Sequence, residues 1–270
     1  MQAARDLNLP IAVKLLTLAR DLQRRKARER QGCFVAEGVR SVEALLASPL
    51  SAVGLLVTES LTSEPRGAVL RGLAESLGIS VKEVTSAELE SAASTDSPQG
   101  VLAVAEIPDR RLEVPGAGPA RYLLLDAIQD PGNVGTIVRT AAAFGVTATI
   151  ALPGTVDLWN AKVVRSSMGA LFVHPVPTAS WEEVSAFCDA YDIACWAADA
   201  DGLVIDSSEE LRRDVLPARL ALVVSNEGAG LSTDVVARTS RRVAIGMAPN
   251  IDSLNVAVAT GILLHALRPG

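Results

Sequence analysis

The stretch Val243–Leu267, VAIGMAPNIDSLNVAVATGILLHAL, joins a short apolar run, a polar loop and a long apolar helix. The run from Val243 to Met247 has the length of a buried strand, and Gly, Pro and Asn mark the loop after it. Asp252 or Ser253 is predicted to cap the helix, with Asn255 in its first turn. A strand that turns into a helix in this way leaves free backbone amides for a ligand, although an ordinary capped core helix has the same pattern.

The composition is that of a soluble globular protein with room for two domains. The chain has 270 residues, of which 49% are hydrophobic and 21% charged. Aromatic residues make up only 3%, which argues against an RNA surface built from many stacked rings. The net charge of −6 argues against a uniformly basic surface but permits a local basic face.

Neither a metal site nor a membrane segment is expected. Cys33, Cys188 and Cys195 are scattered, and with His174 and His265 they give no zinc-binding spacing. No apolar run approaches about 18 residues, and the first residues lack the pattern of a secretory signal. The sequence therefore predicts a soluble, cytoplasmic protein with reduced thiols and no metal.

Alternating strand and helix patterns divide the chain into an α/β domain at 1–107, a linker at 108–119 and a second α/β domain at 120–270. The linker is rich in Pro and Gly. In the second domain, near-continuous apolar runs alternate with helices, as in a parallel sheet buried on both faces. The expected strands there are 122–128, 147–152, 171–176, 193–197, 220–224 and 243–247.

Ligands of parallel sheets bind beyond the carboxyl ends of the strands, so the strand-to-helix turns are the candidate sites. After the first strand of the second domain, Asn133 stands at a helix entry and Arg139 follows six residues later. An arginine among apolar helix residues is costly to bury, so an anionic partner, a ligand or a structural ion pair, is expected. After a later strand, Gly228-Ala229-Gly230 permits close approach of a ligand, although a tight turn also explains it.

Taken in order, these three motifs resemble those of the SpoU (TrmH) family of RNA 2′-O-ribose methyltransferases in the SPOUT superfamily. The first match is Asn133 through Arg139, the second is Asn226-Glu227-Gly228 with Gly230, and the third is Met247 with Ser253-Leu254-Asn255. The earlier part resembles the family's L30e-like substrate-binding domain, through Phe34-Val35-Ala36-Glu37-Gly38 and Pro98-Gln99-Gly100.

The resemblance implies a C-terminal α/β-knot domain, which is a parallel sheet with a deep trefoil knot, behind a small L30e-like domain. It also implies S-adenosylmethionine as cofactor and a homodimer with the active site at its interface. The implied catalytic residues are Arg139, which acts on the ribose hydroxyl, and Asn133, Glu227, Ser253 and Asn255. The implied cofactor-binding residues are Ser225, Gly228, Ile245, Met247 and Leu254.

Two positions depart from the family pattern. Ser225 stands where the second motif usually has Gly, and we expect it to be strained at positive φ. Gly246 stands where the third motif usually has Pro, which loosens the loop. Both changes bear on the affinity for the cofactor.

A basic segment near the start of the chain is the expected contact with RNA phosphates. One helix is predicted from Ile11 to Arg30, and its second half is basic. The candidates are Arg20, Arg24, Arg25, Lys26, Arg28 and Arg30, with Arg110, Arg111 and Arg121 near the linker as an extension. A solvated helix face is the alternative interpretation, since Asp21 and Glu29 are interspersed.

The leading hypothesis is an S-adenosylmethionine-dependent 2′-O-methyltransferase of structured RNA, most plausibly ribosomal RNA because of the additional N-terminal domain. A transfer-RNA methyltransferase is the first alternative. The second is a non-catalytic RNA-binding or ribosome-assembly protein of the same fold. A Rossmann-type methyltransferase or dehydrogenase is disfavoured, because its glycine loop would follow the first strand of the second domain, whereas Gly228-Ala229-Gly230 lies near the end of the chain.

Overall fold

The computed structural model describes residues 11–205, 216–226, 231, 233–250 and 253–268. The chain divides into two compact units. Unit 1 contains the described residues up to Asp109 together with Asp157–Val173. Unit 2 contains Arg110–Val156 and the described residues from His174 onward. The segment Asp157–Val173, which comes between the two parts of unit 2 in the chain, therefore belongs to unit 1.

The helices and strands follow the alternation seen in the sequence. In chain order they are α1 Ile11–Asp21, α2 Arg25–Gln31, β1 Cys33–Glu37, α3 Val39–Leu46, β2 Ala52–Val57, α4 Glu59–Thr62, α5 Pro65–Ser76, β3 Val81–Glu83, α6 Ser86–Glu90, β4 Val101–Glu106, β5 Ala120–Asp126, α7 Pro131–Ala143, β6 Ala148–Ala151, α8 Ala161–Ser166, α9 Ala170–Val173, α10 Trp181–Ala190, β7 Ala194–Val204, β8 Arg219–Ser225, α11 Thr233–Arg238, β9 Arg241–Ala244 and α12 Val256–Ala266.

Unit 1 is built on a mixed sheet with the strand order β1-β4-β2-β3. β4 runs antiparallel to both β1 and β2, and β3 runs parallel to β2. All five residues of β1 are buried, as are the first five of β4, because helices and loops cover both faces. Phe34 on β1 is fully buried and packs on Trp159, with ring centroids 4.5 Å apart.

Unit 2 contains the expected parallel sheet, in the order β6-β5-β8-β7-β9. Every pair of neighbouring strands is parallel, and all seven residues of β5 are buried. The prediction of a parallel sheet from near-continuous apolar runs is confirmed. The order also places the carboxyl ends of β5 and β8 side by side at the sheet's centre.

The helix predicted from Ile11 to Arg30 is wrong in one respect, because it is interrupted between α1 and α2. Arg24 has extended backbone, with φ −95° and ψ 131°, and precedes the second helix. The interruption leaves carbonyl groups without helical partners. The Arg28 guanidinium donates to two of them, Leu22 O at 2.6 Å and Gln23 O at 3.0 Å.

The strand predicted at 171–176 is also wrong, since Ala170–Val173 forms the short helix α9 of unit 1. A run of four apolar residues fits a strand or a helix equally well, and tertiary packing decides between them. Here Phe172 is fully buried against Phe34, with ring centroids 5.8 Å apart. The next residues run beside β6, where the amide of Thr149 donates to Pro175 O at 3.0 Å.

His174 is a buried histidine, and we expect it to make the stability of unit 2 depend on pH. Its Nε2 lies 2.8 Å from the hydroxyl of Thr149, and burial, with Arg110 nearby, lowers its pKa from 6.5 to about 4. The unfolded chain therefore binds more protons between pH 6.5 and pH 4, and stability falls as the pH falls through this range. The pKa shift corresponds to a loss of about 3 kcal/mol in the free energy of unfolding.

We expect His174→Gln to remove this part of the pH dependence, because glutamine does not titrate. Urea unfolding of both proteins at several pH values between 4 and 7 measures the effect, and the wild type should show the steeper loss. Parallel stability curves for the two proteins would contradict the assignment.

Candidate functional site

The central turns of the sheet in unit 2 meet at the ends of β5 and β8. Asp126 and Ser225 are register partners, and the Ser225 hydroxyl donates to Asp126 Oδ2 at 3.1 Å. Ser225 is the last residue of β8 and has strand backbone. The expected strain at positive φ is therefore wrong, because the turn begins only after Ser225. The hydroxyl instead ties the end of one strand to the end of its neighbour.

The first and third motifs are joined by a bond between two asparagine side chains. Asn255 Nδ2 donates to Asn133 Oδ1 at 3.0 Å. The Asn255 Oδ1 accepts from the amides of Ala257 at 3.0 Å and Val258 at 3.4 Å, so it caps α12. The predicted cap at Ser253 is wrong, since the helix begins at Val256 and Asn255 precedes it directly. Asp252, the other candidate cap, lies outside the described residues.

A cavity of about 270 Å³ opens at this edge of unit 2. Five of the predicted site residues line it: Ser225, Ile245, Met247, Ser253 and Leu254. Val224, Val243, Val256 and Leu263 add to its apolar wall. The chain from Ile245 to Ala248 is neither helix nor strand, so its backbone N–H and C=O groups do not take part in the hydrogen bonds of a helix or a sheet. Glu227 and Gly228, which we also predicted here, lie outside the described residues.

The cavity also has a wall that sequence reasoning missed, at an irregular part of β7. Asp199 and Ala200 line it, and Asp199 Oδ2 accepts from Arg242 Nη1 at 3.0 Å. The register between β7 and β9 shifts between Ala198 and Leu203. A Cβ at Gly202 would lie 2.5 Å from the amide nitrogen of Val243, so this position requires glycine. A glycine within a strand pattern was the available signal for such an irregularity.

Arg139 lies on the exposed side of α7. The buried residues of this helix are Val134, Gly135, Ile137, Val138 and Ala141, whereas Arg139 is exposed. The expectation that Arg139 is buried among apolar neighbours is therefore wrong for the single chain. Position 139 does not lie on the face of the helix that packs against the core. Within the described part of the chain Arg139 has no hydrogen-bond or ion-pair partner, and it does not line the cavity.

Arg28 is not available for RNA, because it is buried in unit 1. Its side chain is 6% exposed, and its Nη2 lies 2.6 Å from Asp157 Oδ2. This finding corrects its assignment as a phosphate contact, since a guanidinium held by a carboxylate and two carbonyls has no free face for a phosphate.

The remaining basic residues of this segment are on the surface, and three of them have polar partners. Arg24 pairs with Asp21, Arg25 Nε donates to Glu29 at 2.8 Å, and Arg20 Nε donates to the Ser91 hydroxyl at 2.7 Å. Lys26 and Arg30 are exposed, and in the described ranges neither has a partner. The phosphate assignment thus rests mainly on these last two side chains.

Arg121, which we expected to extend the basic surface, is buried instead. Its Nε donates to Leu267 O at 2.6 Å, and its Nη1 donates to Ala218 O at 2.7 Å and to Ala120 O at 3.0 Å. Burial lowers the pKa of Arg121 from its ordinary value. This side chain ties the end of α12 to the start of the sheet.

The described residues contain no group of three or more His, Cys, Asp or Glu side chains placed to hold a metal ion. Nor does any helix among them have the length and apolar character needed to cross a membrane.

Two family models match the chain in the order of the two units. Residues 120–265 match the SpoU rRNA Methylase family, and residues 14–103 match the MRM3-like substrate binding domain. The first match extends over more than half of the chain and contains all three motifs of the site.

Relatives and solved structures agree with these matches. The 23S rRNA (guanosine(2553)-2′-O)-methyltransferase RlmP of Bacillus subtilis is 30% identical over 92% of this chain and 93% of its own length. A TrmH-family RNA methyltransferase structure from Porphyromonas gingivalis is 31% identical, with a TM-score of 0.79 over 96% of this chain and 99% of the other. An AdoMet-bound rRNA methyltransferase structure from Sinorhizobium meliloti is 28% identical, with a TM-score of 0.79 over 96% of this chain and 95% of the other.

Proposed function

The chain belongs to the SpoU rRNA methylase family, and from this membership we propose that it methylates a ribose 2′-hydroxyl of ribosomal RNA with S-adenosylmethionine. The observation that carries the proposal is the cavity at the ends of β8 and β9, which gathers residues of the second and third motifs. The Asn133–Asn255 bond adds the first motif to the same edge of the sheet. The matched relatives that act on ribosomal RNA support this substrate class.

The residues present fit the cofactor. A purine needs apolar surfaces and hydrogen bonds at its edge, and the cavity offers Ile245, Met247 and Leu254 beside irregular backbone. Asp199 supplies a carboxylate in the same wall, which suits the cationic or hydroxyl groups of the ligand. We assign cofactor binding to Ser225, Gly228, Ile245, Met247 and Leu254. Bound S-adenosylmethionine would supply an electrophilic methyl group on its sulfonium sulfur, which leaves as a neutral thioether.

Arg139 is proposed to act on the ribose. The 2′-hydroxyl is a weak acid that loses its proton as its oxygen takes the methyl group, so a donor that stabilises negative charge on that oxygen lowers the barrier. An arginine is a poor proton acceptor, because its guanidinium stays charged, but its planar fork can orient the hydroxyl and a neighbouring phosphate. Asn133, Glu227, Ser253 and Asn255 are assigned to the surroundings of this group.

The proposed homodimer explains how Arg139 reaches a cavity that it does not line in its own chain. α12 packs against α7, and Val258 and Ile262 of α12 are 52% and 43% exposed. Exposed apolar side chains on a helix beside the candidate catalytic arginine suit an interface with a second copy. A partner docked there would bring its Arg139 close to the ligand.

We expect Val258→Glu with Ile262→Glu to abolish the dimer, because four charges would be desolvated in a two-fold interface. Light scattering after size exclusion measures the mass, and transfer of labelled methyl measures the activity. The exposed residue Val236 of α11 provides the matched control as Val236→Glu. A stable dimer of the double variant would contradict this interface.

We propose that the C-terminal domain forms a deep trefoil knot, and the path of the C-terminal chain supports this. β9 lies at one edge of the sheet, two strands away from β8. The helix that follows nevertheless packs against β8 and α7 at the centre. The chain therefore doubles back across the sheet after β9, which is what threading into a knot requires. The L30e-like identity of the first domain is likewise proposed, from its mixed α/β architecture and from the substrate-binding family model.

The first experiment is transfer of labelled methyl from S-adenosylmethionine to unmodified ribosomal RNA and, separately, to unmodified transfer RNA. We expect label in ribosomal RNA, and resistance of the labelled linkage to alkali would place the methyl group on the ribose oxygen. Label in transfer RNA alone would show that the substrate is transfer RNA and not ribosomal RNA. Binding of RNA without transfer to either RNA, also in ribosomal particles, would favour a non-catalytic RNA-binding protein. We also propose a cytoplasmic location, because the relative RlmP of Bacillus subtilis is a bacterial ribosomal RNA methyltransferase.

A further inference from the structure

The cavity of unit 2 has a single charged side chain among its described lining residues, and the function proposed above gives it no defined role. This side chain is Asp199, in the irregular part of β7, and the other described residues of the wall are apolar or uncharged. The carboxylate is mostly buried, since the Asp199 side chain is 19% exposed. A carboxylate in such a place costs free energy unless hydrogen bonds satisfy it.

Two bonds from the protein hold the Asp199 carboxylate and leave part of its acceptor capacity unused. Its Oδ2 accepts from Arg242 Nη1 at 3.0 Å, and its Oδ1 accepts from the backbone amide of Asp201 at 3.1 Å. A carboxylate offers about four lone-pair sites on its two oxygens. One bond to each oxygen therefore leaves both oxygens able to accept a further hydrogen bond from a ligand in the cavity.

The backbone places Asp199 beside the loop to which the purine of the cofactor is assigned. Ala198 pairs with Val243, and the register between β7 and β9 shifts directly after this pair. Asp199 and Ile245 follow the two paired residues closely along their own strands, and both line the cavity. Such irregularities turn side chains toward sites that a regular ladder does not reach. The carboxylate and the purine site are therefore neighbours in one wall.

The ion pair with Arg242 decides which group of S-adenosylmethionine suits this carboxylate. The candidates are the sulfonium, the ammonium of the methionine part, and the 2′- and 3′-hydroxyls of the ribose. Since the guanidinium already compensates the charge of Asp199, the pair attracts a further cation only weakly. Hydroxyl groups need an acceptor and no net charge, and two neighbouring hydroxyls match the two oxygens of a carboxylate.

The structure of the ligand favours the same choice. In S-adenosylmethionine the ribose is bonded directly to the purine, whereas the ammonium is at the far end of the methionine chain. A residue beside the purine site therefore meets the ribose first.

We propose that Asp199 accepts hydrogen bonds from the ribose hydroxyls of S-adenosylmethionine and so selects a cofactor with an intact ribose. The proposal rests on the proposed function and adds to it a residue that determines specificity. Asp199 binds a part of the cofactor that does not react, so it contributes equally to the ground state and the transition state. Its loss therefore raises KM for S-adenosylmethionine and leaves kcat at saturation unchanged.

The test is calorimetric titration of the full-length protein with S-adenosylhomocysteine and with its 2′-deoxy and 3′-deoxy counterparts. We expect the wild type to bind at least one deoxy counterpart about tenfold more weakly, because a hydrogen bond to a charged acceptor is lost. In Asp199→Ala the affinity for S-adenosylhomocysteine should fall by at least this factor, and the difference between the ligands should disappear. A difference that persists undiminished in Asp199→Ala would overturn the proposal, because the hydroxyls would then have another partner.

Two further variants separate contact with the ribose from a structural role of Asp199. Arg242→Gln removes the ion pair but keeps the carboxylate and its bond to the Asp201 amide, so it should still distinguish the ligands. Loss of the distinction in Arg242→Gln as well would overturn direct contact, since the ion pair would then shape the wall. Asp201→Ala is the matched control, because Asp201 is exposed and does not line the cavity. It should bind all three ligands as the wild type does.

Titration of the wild type also separates failure of this proposal from failure of the proposed function. A wild type that binds S-adenosylmethionine and binds all three test ligands with equal affinity would overturn the role of Asp199 and leave the methyltransferase standing. A wild type that binds neither S-adenosylmethionine nor S-adenosylhomocysteine would overturn the proposed function, and the role of Asp199 with it.

Discussion

The Arg139→Ala variant should lose methyl transfer by about 100- to 1,000-fold in kcat, the usual cost of removing a donor that stabilises charge in the transition state. The affinity for S-adenosylmethionine should change much less than the rate, because cofactor binding is assigned to residues of the cavity and Arg139 is assigned to the ribose. Calorimetric titration with S-adenosylmethionine measures the affinity, and single-turnover transfer of labelled methyl to ribosomal RNA measures the chemical step.

Arg139→Lys separates charge from shape at the same position. Lysine keeps the positive charge but lacks the planar fork that binds two oxygens at once, so we expect it to recover only a small part of the lost rate. Near-full turnover of Arg139→Lys would exclude bidentate positioning. Arg238→Ala, which removes an ion pair with Glu182 on another helix of unit 2, should retain the wild-type rate.

Most of the architecture could be predicted from hydrophobic periodicity, because a strand buried on both faces and an amphipathic helix leave different patterns. The exceptions follow a physical rule. The run at 171–176 was too short for its period to decide between strand and helix, and packing of Phe172 on a distant strand decided it. At the interruption after α1, Arg28 binds two freed carbonyls, and its carboxylate partner Asp157 is far away in sequence.

The sequence predicted that residues of separate motifs lie together at one edge of the sheet in unit 2. Ser225, Ile245, Met247, Ser253 and Leu254 line one cavity, as expected from strand ends that meet at one edge. Asp199 was missed, because it enters the cavity through a register shift between β7 and β9 for which Gly202 was the signal in the sequence. The exposure of Arg139 was misjudged for a related reason. Apolar neighbours in the sequence do not show that a helical residue is buried, because successive residues point to different sides of the helix.

The buried ion pair between Arg28 and Asp157 should be the most sensitive polar contact of unit 1. Arg28 is 6% and Asp157 17% exposed, and the Arg28 Nε donates to Asp157 Oδ2 at 2.7 Å. Removing one partner of a buried pair leaves the other charge uncompensated, which costs about 3 to 5 kcal/mol. Asp157→Ala should lower the free energy of unfolding of unit 1 by this amount, measured by urea unfolding.

The double variant Arg28→Met with Asp157→Leu tests the cause of this loss. If the uncompensated charge is responsible, a double replacement by apolar side chains should restore most of the stability, since no buried charge remains. The exposed pair of Arg71 and Glu75 gives the reference, and Arg71→Ala should cost less than about 1 kcal/mol. A double variant as unstable as Asp157→Ala would instead show that the pair contributes mainly through the two carbonyls that Arg28 binds. The interruption between α1 and α2 would then depend on the hydrogen bonds that the Arg28 guanidinium donates, and not on its ion pair with Asp157.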